Sequence, residues 1–196
     1  MKQRLSTSPS LSIGPSGLSN ARIAMMLVVA SEVMLFSGFV AGYIVLRFGS
    51  GGFEGMPRLP IGLAGISTPL IIASSIALII SSRAWKRRDI PVYSSAALAS
   101  LLLGVLFLVL QVLEWEQLMY SGVLPSGNVY GGMFYALSWV HGLHVLGGLV
   151  LLAYLVRRAW RPAVTQSSGN FVAVVGIYWH FVTIVWVGLF LMLFVL

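Results

Sequence analysis

Residues 21–46 read ARIAMMLVVASEVMLFSGFVAGYIVL, a run apolar enough to cross a bilayer except for one carboxylate near its middle, Glu32. At about 1.5 Å per helical residue, counting from Arg22 places Glu32 roughly 15 Å deep, near the centre of a membrane. A charge at that depth costs roughly 3 to more than 10 kcal/mol, so a stable protein must pair it, protonate it or turn it inward. The segment therefore reads as a transmembrane helix that carries a polar group for a reason.

The rest of the chain agrees with a membrane setting. Of its 196 residues, 58% are hydrophobic and only 9% charged, where a soluble domain has about a quarter charged. The formal net charge is +7, but the basic residues gather at the ends of apolar segments. That is the distribution of membrane topology, not of a groove that tracks nucleic acid. The chain has no cysteine, which removes disulfides, thiolate chemistry and Cys-ligated metals. Residues 1–20 are rich in Ser, Gly and Pro with no apolar core. They read as a disordered cytoplasmic tail with no cleaved signal.

Five apolar runs are long enough to span, at about 21–46, 61–82, 92–120, 130–156 and 171–196. Loops rich in Gly, Pro or Arg separate them. The expected architecture is an all-α bundle of five transmembrane helices, a single unit over 21–196. Lys2, Arg4, Arg22, Arg83, Lys86, Arg87, Arg88, Arg157, Arg158 and Arg161 all fall on one side, leaving Arg47 and Arg58 on the other. The positive-inside rule then predicts a cytoplasmic N-terminus and a periplasmic C-terminus, with Trp85 and Trp160 as interfacial anchors. Pro69 is the expected kink. Gly38 and Gly42, and Gly142 with Gly147 and Gly148, offer small-residue surfaces for close helix packing.

Depth sorts the other intramembrane polar groups. Glu114, 22 residues beyond Val92, lies roughly 33 Å along its helix, near the outer interface. With its neighbour Gln111 it is a secondary polar spot. His180 lies roughly 13 Å, and His144 roughly 20 Å, from the inner ends of their helices. Glu32, His144 and His180, with His141 one turn away, are thus expected to form a buried polar cluster, Glu32 bonding to His144 or His180. The residues alone leave several readings open. His141 and His144 are spaced i,i+3, and His180 can add a third metal ligand. A haem between two helices needs only two histidines. A proton relay or an autonomous small transporter uses the same groups, although the chain shows no internal repeat and no helix broken at its centre of the transporter type. Hydrogen-bonded packing explains them all most simply, so no catalytic residue and no metal ligand is expected.

The order of these residues adds a resemblance. Ser31-Glu32-Val33-Met34-Leu35-Phe36 resembles the helix of subunit III of haem–copper terminal oxidases that carries a buried glutamate. Gly104, Phe107, Gln111, Glu114 and Trp115 are similar to that family's next signature. Tyr130-Gly131, Phe134-Tyr135, Leu137, His141-Gly142-Leu143-His144-Val145 and Gly148-Leu149 follow the most specific block. Tyr178-Trp179-His180-Phe181-Val182 with Val185-Trp186 resembles the last. The chain is identified as similar to the five-helix bacterial forms, which lack the first two of seven helices. It departs in having Thr183 where the family usually has Asp.

The resemblance implies a subunit with no haem or copper of its own, these being in partner subunits. It implies packing on subunit I, with subunit II and in some complexes subunit IV alongside, in the bacterial cytoplasmic membrane. It also implies bound phospholipid and support of proton uptake and sustained turnover by an oxidase that reduces oxygen to water. Arg22 and Arg157, beside Gly38, Gly42, Gly147 and Gly148, are the candidate lipid contacts. Two rivals stand beside this reading: an accessory protein of a nitric oxide reductase from the same family, and a membrane anchor holding haem on His141, His144 and His180. The electron donor, cytochrome c or quinol, is set by other subunits.

Overall fold

The computed structural model describes residues 19–49, 61–127, 129–160 and 168–195. Five helices fill them: α1 (Asn20–Phe48), α2 (Gly62–Lys86), α3 (Ile90–Tyr120), α4 (Val129–Ala159) and α5 (Ser168–Phe190), the last passing into a π-helical turn over Leu191–Val195. Each is long and apolar enough to cross a membrane. The expected tail lies outside the described residues up to position 18, as do Arg58 and Arg161, and Asn20 already belongs to α1.

The helices overrun the apolar stretches that announced them. α2 continues to Lys86 and α4 to Ala159, carrying Arg83, Lys86, Arg157 and Arg158 in their last turns. Long basic side chains are good helix formers, and cations suit the negative end of the helix dipole. α3 starts earlier than its first strongly apolar residues, because the Asp89 carboxylate accepts a hydrogen bond from the Val92 amide at 3.3 Å. Pro91 in the first turn costs no helical hydrogen bond. α2 runs unbroken through Pro69.

Two of the connections close with the same device. After α3, Gly122 adopts a positive φ of 85°. Its amide donates to the Met119 carbonyl at 3.1 Å, and the Val123 amide to that of Leu118 at 3.0 Å. After α2 the pattern repeats, with Arg88 donating to Trp85 at 3.1 Å and Asp89 to Ala84 at 3.0 Å. Here the left-handed position is held by Arg88, φ 61°, where glycine is the usual choice.

Packing follows a seven-residue rhythm. The buried residues of α3 are Tyr93, Ala97, Ser100, Gly104, Phe107, Gln111, Glu114 and Leu118, alternating steps of four and three. Opposite them α2 buries Ala64, Ser67, Ile71, Ser74, Leu78 and Ser81. This is the seam of a coiled coil with small residues on one side, which lets two antiparallel helices approach closely in lipid. Ser74 Oγ donates to the Ser100 carbonyl at 2.7 Å and Ser81 Oγ to that of Tyr93 at 2.9 Å. Hydroxyls of α2 also accept from α5: Trp179 Nε1 donates to Ser74 Oγ and Trp186 Nε1 to Thr68 Oγ1, each at 3.0 Å.

Of the glycines expected at close helix contacts, Gly142 and Gly148 are tightly packed, whereas Gly38 and Gly42 are not. A methyl group at Gly38 would meet nothing within 4 Å, and one at Gly42 would touch only the end of Met133. Among the described residues, the Gly38/Gly42 surface of α1 is therefore not a close helix contact. The tight positions are Gly104 and Gly148, where a methyl group would come within 2.8 and 2.6 Å of the Trp179 ring, and Gly142, within 2.9 Å of Trp115. α1 is the least embedded helix; only Phe36 and Tyr43 are fully buried in it. Among the described residues seven of eight Lys and Arg side chains stand at one end of the bundle (Arg22, Arg83, Lys86, Arg87, Arg88, Arg157, Arg158), and only Arg47 at the other.

Candidate functional site

The carboxylate near the middle of the first span has a partner. Glu32 on α1 places Oε2 2.8 Å from Nε2 of His144 on α4. Both side chains are partly enclosed, 23% and 18% exposed, so the pair lies at the edge of the bundle rather than inside it. The other ring nitrogen of His144, Nδ1, is 2.7 Å from the Val140 carbonyl. A carbonyl only accepts, which assigns a proton to Nδ1. The bridge from Nε2 to Oε2 then holds one proton whichever side carries it: a carboxylic acid donating to neutral imidazole, or imidazolium donating to carboxylate. Tyr178 of α5 donates to the His144 carbonyl at 3.1 Å, and Phe36 sets its ring edge-on against His144 at 5.3 Å. Three helices thus meet at His144, α1 at its ring and α5 at its backbone carbonyl.

His141 and His180 do not join this pair. Residues three apart on a helix are rotated by about 60°, enough for one to face a neighbour and the other the core. His141 is fully buried. It stacks on Trp186 at 5.2 Å, with Phe107 and Phe36 edge-on at 6.3 Å each. Neither of its ring nitrogens meets a hydrogen-bond partner among the described residues. His180 turns toward α2, its Nδ1 2.6 Å from Ser75 Oγ. Gln111 and Glu114 form a pair of their own inside the bundle, Gln111 Nε2 donating to Glu114 Oε2 at 2.7 Å. The single polar cluster expected from depth is three separate spots. Thr183 donates to the Trp179 carbonyl of its own helix at 2.9 Å. Among the described residues no three His, Asp or Glu side chains are placed to hold one metal ion.

The lipid candidates scatter similarly. Gly38 and Gly147 are exposed on the bundle surface, whereas Gly148 is covered by Trp179. Arg157 is exposed at the end of α4, and Arg22 borders a cavity between α1, α2 and α5. Reading residue by residue missed the indole–hydroxyl bonds of Trp179 and Trp186. Their signal was available in the regular return of Ser and Thr along α2, at 67, 68, 74 and 81.

The family model described as cytochrome c oxidase subunit III matches residues 16–196. The chain is 34% identical over 170 residues to the probable cytochrome c oxidase subunit 3 of Nocardia farcinica, covering 86% of this chain and 84% of that one. It is 30% identical over 176 residues to the cytochrome c oxidase subunit 3 of Corynebacterium diphtheriae, covering 88% and 86%. With that of Thermostichus vulcanus it shares 30% over 179 residues, covering 89% and 86%. Together with the five spanning helices, these relatives make it a multi-pass bacterial membrane protein of a multi-subunit oxidase. The glutamate–histidine bridge and the indole-filled glycines thus lie on the framework of a known subunit: the chain belongs to the cytochrome c oxidase subunit III family.

Proposed function

We propose that this chain is the non-redox accessory subunit III of a haem–copper respiratory oxidase. In this reading it packs on subunit I, with subunit II and in some complexes a subunit IV beside them, and the haem and copper reside in partner subunits. It binds phospholipid and sustains proton supply and turnover in its neighbour. The observation that carries the reading is the one-proton bridge between Glu32 and His144. It lies within membrane-spanning helices, at the bundle edge, on a helix whose outer face is exposed.

A bridge in that position holds a proton without conducting it across the chain. Its hydrogen bonds run from Glu32 to His144 and end at the Val140 carbonyl of the same helix. Of the other ionisable groups at depth, His180 and Glu114 bond to Ser75 and Gln111 instead, and His141 meets no hydrogen-bond partner among the described residues. A self-contained transporter needs a continuous relay; an accessory subunit needs only a group that responds to, or steadies, a neighbour. Basic side chains at one end add a field that can raise the local concentration of anions and shape proton access there.

The test compares turnover with time in the oxidase complex with and without this subunit, alongside haem content. The expected result is unchanged haem content and initial rate, followed by faster loss of activity without the subunit. Immediate loss of haem would indicate a cofactor-bearing or assembly role, and identical decay curves would refute support of sustained turnover.

A further inference from the structure

Seven buried side-chain nitrogen and oxygen atoms meet no hydrogen-bond partner among the described residues. Two belong to Ser19 and Arg22 at the start of α1; the other five are Gln111 Oε1, Glu114 Oε1, Trp115 Nε1 and both ring nitrogens of His141. All five belong to α3 and α4, in the half of the bundle where one helix turns into the next. Glu114 is six residues and Gln111 nine residues before the end of α3, roughly 9 and 14 Å from it. His141 is twelve residues into α4, roughly 18 Å from the same end. Such atoms are few in folded proteins, and a group of them marks a place where something else donates and accepts.

The packing brings three of these residues to one level. Phe107 meets His141 with ring centroids 6.3 Å apart, and the Trp115 ring lies 2.9 Å from where a methyl group on Gly142 would be. Gln111 is one helical turn from each, so it faces the same stretch of α4. Gln111 and His141 are fully buried, and Glu114 is 3% exposed. Gln111 Nε2 donates to Glu114 Oε2 at 2.7 Å, which leaves one oxygen on each partner unmet. Among the described residues no cation pairs with Glu114. A carboxylate with a single N–H donor and no counter-charge is costly inside a membrane span, so the acid keeps its proton. Protonated, Glu114 donates at Oε1 while Gln111 Oε1 still accepts, and the two do not reach each other. One water has the matching complement. It accepts from Glu114 and donates to Gln111 Oε1, keeping a second hydrogen for the lone-pair nitrogen of His141. Three bonds are usual for a buried water. A divalent cation, which takes about six or more oxygens, finds too few here.

We propose that Gln111, Glu114 and His141 form a site for an ordered water, and that this water closes a hydrogen-bonded ring with a protonated Glu114. The ring runs from the carboxylic acid to water, from water to the amide carbonyl, and from the amide N–H back to the acid. It stands apart from the proposed function and adds a second proton-holding carboxyl, unconnected to the bridge between Glu32 and His144. Because its donors are met by acceptors of the same ring, it holds its proton rather than passing it on.

The experiment uses the purified oxidase complex in mild detergent, with infrared spectra of the carboxylic acid C=O stretch and a cryo-EM map sharp enough to show internal water. The wild-type spectrum minus that of Glu114→Gln should show one acid band, and the same band should persist in Glu32→Gln. The map should show one density within hydrogen-bond distance of both Gln111 Oε1 and Glu114 Oε1. Gln111→Leu removes both amide bonds and should shift the acid band to higher frequency, lower the melting temperature and abolish the density. Gln111→Leu combined with Glu114→Leu leaves no unmet polar atom in the pair and should melt higher than Gln111→Leu alone. If either leucine variant fails to assemble, the wild-type map and the Glu114→Gln spectrum decide between them. A spectrum in which Glu114→Gln loses no acid band overturns the protonated carboxyl. A map that resolves other internal waters but none here overturns the water. Density ringed by several oxygens at cation distances replaces the water with an ion and overturns the proposal.

Discussion

Glu32 and His144 share one proton in a bond that two substitutions separate into its parts. Glu32→Gln keeps a donor that can reach the acceptor Nε2 of His144, so stability should change little. Glu32→Ala leaves that nitrogen without its partner at the bundle edge and should cost about 1–3 kcal/mol. Thermal unfolding of the complex, with its haem spectrum as a control expected to stay constant, checks both. Faster activity loss in the Gln variant would assign the role to the mobile proton; a defect confined to Ala would assign it to packing. Gly148 gives a second residue-scale expectation: Gly148→Ala drives a methyl group to 2.6 Å from Trp179 and should destabilise by about 1–3 kcal/mol through overpacking. Gly38→Ala, in open space, should be neutral or slightly stabilising in the same melt. The sequence marked Glu32 as a group needing a partner, and depth along the helices put His144 and His180 in the same layer. Depth carries no information on rotation about a helix axis, which sends His180 to Ser75 and His141 onto Trp186. The two glycine roles were hidden for a related reason. A glycine under an indole and one facing outward look alike until the neighbouring helix is known.

At the scale of elements, the α2–α3 connection contains a local conflict. Arg88 occupies a left-handed backbone position, φ 61°, that costs an ordinary residue about 1–2 kcal/mol. The equivalent position after α3 is Gly122. Arg88→Gly should therefore stabilise the hairpin of α2 and α3 by about 1 kcal/mol, measured as a rise in the melting temperature of the purified complex. No change would mean that the arginine side chain offsets the backbone cost. The helices themselves were legible because uninterrupted apolar runs of this length leave few other structures in lipid. Their ends were less so. Arginines that mark the edge of the apolar layer also extend the helix through it, so α2 and α4 run on to Lys86 and Ala159. The seam between α2 and α3 was written in the sequence at seven-residue intervals, but Ser67, Ser74 and Ser81 are not apolar, and a hydrophobic pattern does not register them.

For the whole molecule, the concentration of cations at one end predicts that this end faces the cytoplasm. Because the chain has no native cysteine, a single Arg87→Cys reports directly. It should resist an impermeant thiol reagent in intact cells and react once the membrane is opened; labelling in intact cells would reverse the orientation. Synthesis imposes a further order that the finished bundle conceals. Glu32 and His144 are 112 positions apart, so at roughly 5–20 residues per second a ribosome delivers the histidine on the order of 6–22 s after the glutamate. Through that interval α1 exists without α4, and its carboxyl group must meet the bilayer carrying its proton or wait beside the insertion machinery. A nascent chain stopped before α4 should thus hold α1 in the membrane poorly, and Glu32→Leu should restore its insertion while abolishing the contact it would later make. The residue that stitches the first helix to the fourth is, for the first seconds of the protein's life, an obstacle to the first helix being there at all.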